Sequence, residues 1–168
     1  MASDTSDRLS LPFLQAGQAQ KEITHNEALA LIDMLLHPQA ESATLTSPPS
    51  GAVVGECWIV AAGGTGAWAG HDGEFACLTS GGWRFAAPRA GLRIAVTDDG
   101  LTRVHDGSGW TLDPSRPDGF YVAGARVIGS RQAAIASPTG GAVIDVEARN
   151  ATVQILTILR AHGLISTT

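Results

Sequence analysis

The chain has 168 residues, enough for one ordinary domain or for a small domain with an appended segment. Its formal net charge is −5 and Lys21 is its single lysine, so no cluster of cations is present to neutralise phosphates. We therefore expect no nucleic-acid partner and no insertion into or binding to an anionic membrane. Charged residues make up 16% and glycine contributes 20 residues, which is typical of short strands joined by tight turns.

The N-terminus does not have the pattern of a secretory signal. Residues 1–7 are polar and acidic, without a cationic start or an apolar centre. The longest apolar run, at residues 28–36, is too short to span a bilayer. We expect a protein that is assembled in the cytoplasm and that leaves the cell, if at all, by a route such as lysis.

Residues 1–50 are predicted to form an arm and a helix. Thr24 and Glu27 have the spacing of a capping box, which predicts a helix start at Thr24. Pro38 predicts that the helix ends at or just after Leu36. The arm at residues 9–23 is rich in glutamine and has no obvious partner within the chain, so we expect it to dock on a neighbouring subunit or on a larger particle.

Residues 51–117 are predicted to form a β-hairpin domain rich in tryptophan and glycine. Strands are expected at residues 57–60 and 92–97, and Gly-Gly and Asp-Gly pairs supply the turns. Residues 78–85 and 104–112 each read as a strand, a glycine-rich turn and a tryptophan, so we interpret them as two copies of one hairpin, with a fragmentary third at residues 68–75. Cys57 and Cys77 fall in strand-like sequence and are expected to be buried, reduced thiols.

Residues 118–168 are predicted to form a strand near Phe120 and a C-terminal helix for assembly. Asp145 is a good cap for a helix over residues 146–161, and Gly163 stands where such a helix ends. The apolar residues of this helix cover more than the one stripe that docking on its own domain requires. We expect them to meet copies of themselves around a symmetry axis. These assembly residues are Val153, Ile155, Leu156, Ile158 and Leu159. The predicted fold class is mainly β, a small antiparallel hairpin-rich domain flanked by two helices.

No pattern in the sequence favours catalysis. The five histidines are scattered, and neither they nor the cysteines have metal-ligand spacing. No nucleophile elbow and no phosphate-binding loop is present, since the glycines at 63–66 are followed by neither a capped helix nor a lysine. We predict no catalytic residue, no metal and no cofactor.

The tryptophans are the better functional signal. Flat aromatic rings beside acidic side chains form platforms for the apolar face of a sugar, and they also anchor protein interfaces. The alternative for each ring is ordinary core packing. The candidate binding residues are Trp68, His71, Asp72, Trp83 and Trp110.

Residues 11–29, with the sequence LPFLQAGQAQKEITHNEAL, resemble the opening signature of a domain-of-unknown-function family found in bacterial prophages and gene transfer agents. Residues 55–60, 66–73, 82–85 and 88–91 continue the resemblance. It implies a virion-surface protein, such as a head spike or fibre, that helps the particle hold the polysaccharide of a cell surface. No catalytic or sugar-contacting residue can be carried over from it.

Three functions follow, in order of preference. The first is a structural subunit of a phage-like particle that forms a cyclic homo-oligomer: a pentamer if it sits on a capsid vertex, or a trimer if it is fibre-like. Its other partners would be spike, fibre or capsid proteins and surface polysaccharide. The second is a carbohydrate-binding module of a tail fibre. The third and weakest is a capsule-degrading glycosidase, which would need two carboxylates across a cleft.

Overall fold

The computed structural model describes residues 4–14, 21–140, 145–161 and 164–166. The chain divides into two compact units, residues 1–113 and residues 114–168. The fold is mainly β with a helix near each end, as the sequence predicts; the division into three regions stays a prediction. In chain order the elements are α1 (Lys21–Leu36), β1 (Gln39–Ala40), β2 (Cys57–Ile59), a 3₁₀ turn (Gly66–Trp68), β3 (Phe75–Thr79), β4 (Gly82–Ala86), β5 (Arg93–Val96), β6 (Thr102–His105), β7 (Trp110–Leu112), β8 (Ser115–Arg116), β9 (Gly119–Val122), β10 (Ala125–Ile128) and α2 (Val146–Ala161).

Two sheets form the first unit. β5, β6 and β7 pair in antiparallel order, and the short β1 adds to the edge of β5 in parallel. The second sheet is the antiparallel meander β2-β3-β4. The chain that leaves β1 joins the sheets, because the amide of Glu41 donates to the Cys57 carbonyl at 2.7 Å and the amide of Ile59 donates to the Ser42 carbonyl at 3.0 Å.

The two faces of the β2-β3-β4 sheet bury different side chains, because residues alternate between faces along a strand. One face contributes to a cluster that also contains residues of α1 and β5. The other face contributes to a cluster built on tryptophan. The first cluster includes Met34, Cys57, Ile59, Phe75, Cys77, Ile94 and Val96. The second consists of Trp58, Val60, Trp68 and Ala76, with Trp83 and Phe85 packed against it.

Helix α1 ends at Leu36 as predicted, but its predicted start is wrong. The helix already includes Lys21, so Thr24 lies in its interior and does not cap it. Glu27, the other half of the expected capping box, instead binds the guanidinium of Arg84 through both carboxylate oxygens, at 2.7 and 2.9 Å. This long-range ion pair replaces the local one that the spacing indicates.

The N-terminal arm has partners within its own unit, which contradicts the expectation that it has none. Residues 4–14, here called the arm, fold back on themselves through an isolated bridge between Thr5 and Pro12. The carboxylate of Asp33 on α1 accepts hydrogen bonds from the amides of Arg8 and Leu9, at 2.9 and 2.6 Å. The rest of the predicted arm up to residue 20 lies outside the described residues.

Two of the three predicted hairpins are confirmed. β3 and β4 pair so that Leu78 lies opposite Trp83, and β6 and β7 pair so that His105 lies opposite Trp110. The fragmentary third copy is wrong: residues 66–68 form a 3₁₀ turn that carries Trp68 into the tryptophan cluster.

The second unit contains the β8-β9-β10 meander and α2. Helix α2 has the predicted bounds, and the Asp145 carboxylate caps it by accepting from the amide of Ala148 at 2.8 Å. Gly163, the expected terminator, lies outside the described residues. Neither helix in the described part of the chain combines the length and the apolar character needed to cross a bilayer.

The predicted assembly residues separate into two groups on α2. Leu156 is buried and Leu159 is half-buried. Val153, Ile155 and Ile158 are 39%, 58% and 56% exposed. Ile155 and Ile158 therefore form an open apolar face of the helix beside Leu159 and Leu156, whereas Val153 lies on another side.

Candidate functional site

A groove of about 490 Å³ lies in the first unit beside the end of β2 and the β6-β7 hairpin. The apolar residues 59–62 and Ala43 line one part of it. Asp72, Arg103 and Trp110 give it one carboxylate, one guanidinium and one aromatic ring. The structure thus brings together two of the predicted binding residues, Asp72 and Trp110, and adds Arg103.

Trp110 is fixed by contacts on two sides. Its indole nitrogen donates to the Gly73 carbonyl at 2.7 Å, and its ring meets the edge of the His105 ring with centroids 5.1 Å apart. Gly73 and Gly109, which also line the groove, have no side chains that could cover the ring. A Cβ atom at Gly109 would meet no heavy atom within 4 Å apart from those of its two chain neighbours. The half-buried indole therefore lies beside open space in a set orientation.

Asp72 is held by a glycine loop. Its two carboxylate oxygens accept from the amides of Gly63 and Gly64, at 2.9 and 2.7 Å. These two hydrogen bonds lower the pKa of Asp72, so the carboxylate is ionised at neutral pH. Each oxygen keeps a further lone pair that can accept from a ligand hydroxyl. Asp72 is therefore an acceptor with a fixed position.

Gly64 is required by close packing. A Cβ atom there would lie 2.6 Å from the Trp68 carbonyl oxygen and 2.8 Å from a carboxylate oxygen of Asp72. The loop can approach Asp72 only because this residue has no side chain. The segment at residues 63–66 lacks the features of a phosphate-binding loop. Its amides instead bind the Asp72 carboxylate of the same chain.

Arg103 contributes the positive charge of the groove. It lies on β6 and forms an ion pair with Asp99 in the turn between β5 and β6. Its side chain is 16% exposed, and the Nη1 atom is buried without a hydrogen-bond acceptor among the described residues. Buried donors of this kind are usually satisfied by protein, water or ligand. Arg103 was not predicted as a binding residue from the sequence.

The other three predicted binding residues are not part of the groove lining. Trp68 is fully buried, with 0% exposure, and it packs in a triangle with Trp58 and Trp83 in which the ring centroids are 5.3 to 5.9 Å apart. A ring enclosed in this way has no free face for a sugar. Trp83 is half-buried in the same triangle.

His71 is held in place by the fold. Its ring stacks on the ring of Phe85 at 3.6 Å with an interplanar angle of 4°, and its Nδ1 atom lies 2.7 Å from the Glu74 carboxylate. Because His71 directly precedes Asp72 in the chain, its fixed position also helps to position Asp72. No group of three or more potential metal ligands is found among the described residues.

Residues 25–111 match a family described as a protein of unknown function (DUF2793). The match covers more than half of the chain. The chain belongs to the DUF2793 family. No curated protein matches it. The part shared with the DUF2793 family includes the whole groove, both hairpins and the tryptophan triangle, whereas α2 lies outside it.

Proposed function

We propose that this DUF2793 protein is a non-enzymatic subunit of a phage-like particle, a head spike or fibre of the kind found in gene transfer agents, which attaches the particle to polysaccharide on a cell surface. The observation that carries the proposal is the groove in which Trp110, Asp72 and Arg103 meet. The particle context is supported by the resemblance of residues 11–29 and of the segments after them to prophage and gene-transfer-agent proteins.

The chemistry of the groove suits a sugar. An aromatic ring packs against the C–H face of a pyranose, while fixed polar groups bind its hydroxyls. Asp72 offers charged acceptors, and the guanidinium of Arg103 offers donors. Both are held by other contacts, so little side-chain entropy is lost when a ligand binds. These features favour recognition of a carbohydrate chain over binding of an anion or a purely apolar molecule.

The same groups favour binding over hydrolysis. A glycosidase needs a second carboxyl group to act as a base or nucleophile, and a protonated carboxyl group to act as the acid. Asp72 is the one acidic side chain among the described residues that line the groove. Its lowered pKa favours the ionised form, which cannot donate a proton. We therefore propose attachment without cleavage.

A steric block of the groove tests this proposal. Gly109→Leu places a side chain in open space on the groove wall, and Gly51→Leu is the matched control, because Gly51 also has open space around it and lies outside the groove. Cosedimentation with polysaccharides from candidate host cells should give at least tenfold weaker binding for Gly109→Leu, because the ring of Trp110 is covered. The control should bind like the wild type. Equal binding by both variants would show that the groove is not the polysaccharide-binding site.

The open face of α2 supports self-association of the particle subunit. Isolated helices of this length are marginal in water, so α2 depends on packing, yet Ile155 and Ile158 remain more than half exposed in the single chain. A cyclic assembly, a pentamer at a capsid vertex or a trimer in a fibre, would cover these side chains. Assembly in the cytoplasm with other spike, fibre or capsid proteins would precede display on the particle surface.

A charge on this face tests the assembly. Ile155→Asp should reduce the sedimentation coefficient to that of a single chain, because an unpaired carboxylate is strongly disfavoured in an apolar seam. Gln154→Asp adds the same charge at an exposed polar position next to it and should leave the assembly intact. An unchanged assembly size in Ile155→Asp would show that the contacts lie elsewhere.

A further inference from the structure

Two cysteines lie directly opposite each other in the β2-β3-β4 sheet. Cys57 on β2 and Cys77 on β3 are paired in register, and both are buried, free thiols. The next pair, Glu56 and Leu78, is hydrogen-bonded, because the Leu78 amide donates to the Glu56 carbonyl at 3.0 Å. Since paired positions alternate in an antiparallel ladder, the cysteines occupy a non-hydrogen-bonded pair. In such pairs the Cα atoms are about 4.5 Å apart, which falls within the roughly 4.4–6.8 Å range that a disulfide spans.

We propose that Cys57 and Cys77 are a modification site that closes to a cross-strand disulfide when the protein meets a small-molecule disulfide, and that the arm controls access to it. The Cys77 thiolate attacks one sulfur of the small disulfide and releases one equivalent of small thiol. The Cys57 thiolate then attacks the Cys77 sulfur of the mixed disulfide and releases the second. Two protein thiols are oxidised, one small disulfide is reduced to two thiols, and the two protons pass to those products.

The interaction between the two facing thiols supports this order of attack. It raises the pKa of Cys57 and lowers that of Cys77, so Cys77 is the more readily ionised of the two. Burial raises the pKa of both, the charge of Arg8 lowers both, and the charge of Asp33 raises both. Met34 of α1, whose carbonyl accepts from Arg8 of the arm, belongs to the same buried cluster as both thiols, so the junction of the arm with α1 adjoins that cluster.

The arm controls access because it is fastened across this junction. Its Arg8 guanidinium donates to the backbone carbonyls of Asp33, Met34 and His37, at 3.1, 3.1 and 2.9 Å. The Asp7 carbonyl oxygen would lie 3.3 Å from a Cβ atom on Gly55, two residues before Cys57. A reagent can reach the sulfur atoms when this segment opens. The thiols, which the sequence predicts to be buried and reduced, are thus a pair that can respond to a change of redox environment.

The main test uses the full-length wild-type chain, and one variant serves as its control. The native protein is incubated with oxidised glutathione, then unfolded for thiol counting and mass measurement. We expect both thiols to be lost together, with a mass lower by two hydrogens, no retained glutathione and a melting temperature higher by roughly 5–15 °C. Cys57→Ser, which has no second thiol for the exchange, should retain one glutathione. Unreacted thiols, a stable wild-type adduct or disulfide-linked dimers would each overturn the proposal.

The role of the arm has its own test. Arg8→Ala should make disulfide formation roughly tenfold faster, because the arm loses three hydrogen bonds and opens more often. Loss of the Arg8 charge alone would raise the pKa of both thiols and slow the reaction, so a faster rate can only come from opening. Arg89→Ala, a change at an exposed arginine outside the arm, should leave the rate unchanged. Equal rates for all three proteins would overturn control by the arm.

Discussion

The β3-β4 and β6-β7 hairpins have the same local sequence plan and different surroundings. Each places a tryptophan just after its turn, opposite the last residues of the preceding strand. Trp83 lies opposite an apolar leucine and closes against Trp58 and Trp68, whereas Trp110 lies opposite His105 and next to a groove. The hairpin motif thus sets the position of the tryptophan on its strand. Residues distant in the chain determine how far its ring is enclosed.

The difference has a simple physical origin. Around Trp83, two further indoles fill the space, and edge-to-face packing of aromatic rings stabilises such a cluster. Around Trp110, the neighbouring positions on the groove wall are Gly73 and Gly109, which cannot fill space. Trp83 therefore packs among other rings, whereas Trp110, which packs against the first core cluster, also lines the groove that we propose for ligand binding. The predictions below test this division of roles.

The largest effect is expected in the closed triangle. Trp68→Ala should lower the free energy of unfolding by about 3–5 kcal/mol, because it removes a fully buried ring and leaves a cavity. Urea unfolding of the full-length chain measures this. Trp83→Ala should cost less, since that ring is half-buried. The folded fraction of both variants should still bind polysaccharide, and a selective loss of binding with normal stability would reverse the roles of the two hairpins.

A smaller effect is expected at Gly64, which lies between the triangle and the groove. Gly64→Ala should cost about 1–3 kcal/mol, because its methyl group would overlap the Trp68 carbonyl and the Asp72 carboxylate. Gly51→Ala, in open space, is the control and should be neutral. Since Asp72 would lose its position, polysaccharide affinity should fall as well. Unchanged affinity would show that the position of Asp72 does not matter for binding.

Trp110→Phe should cost about 0.5–1.5 kcal/mol, because it keeps an aromatic ring but removes the hydrogen bond to the Gly73 carbonyl. Affinity for polysaccharide should fall several-fold, since the ring is no longer fixed by its nitrogen. Paired urea-unfolding and binding measurements on the same preparation check both numbers. A gain in affinity would mean that a rigid ring is not what the groove provides.

Local signals predicted the elements that depend on neighbours in sequence. Asp145 caps α2 as expected, and Pro38 follows the observed end of α1. The predicted start of α1 was wrong. Glu27 does not form a capping box with Thr24 but pairs with Arg84, which lies on a strand 57 residues later. A capping box can be predicted from the spacing of residues alone, whereas a competing long-range ion pair cannot.

The candidate site was predictable only in part for the same reason. Asp72 and Trp110 stood out by residue type, but nothing local indicates that they share a groove with Arg103. Trp68 is flanked by glycine and alanine in sequence, which made it look exposed. Its neighbours Trp58 and Trp83 come from two different strands. Enclosure by distant residues is a property of the folded chain.

The smallest effect is expected when the pH is lowered, because only one of the two hairpin turns contains an acidic residue of its own. The turn of the Trp110 hairpin contains Asp106, whose carboxylate accepts from the amides of Ser108 and Gly109, at 2.7 and 2.9 Å. These bonds and one from the Ser108 hydroxyl lower the pKa of Asp106 to about 2. The turn of the Trp83 hairpin, Ser80-Gly81, has no acidic residue of its own.

Because folding lowers this pKa below its unfolded value of about 3.9, the contribution of Asp106 to stability is complete above that value and is lost as the pH falls towards 2. The amide chemical shifts of Ser108 and Gly109 should therefore titrate with a midpoint near 2. Asp106→Asn keeps the acceptor oxygen and should abolish the titration with little change at neutral pH. A midpoint near 4 in the wild type would show that the turn does not hold the carboxylate, and the open hairpin would then lack the rigidity that we assign to it.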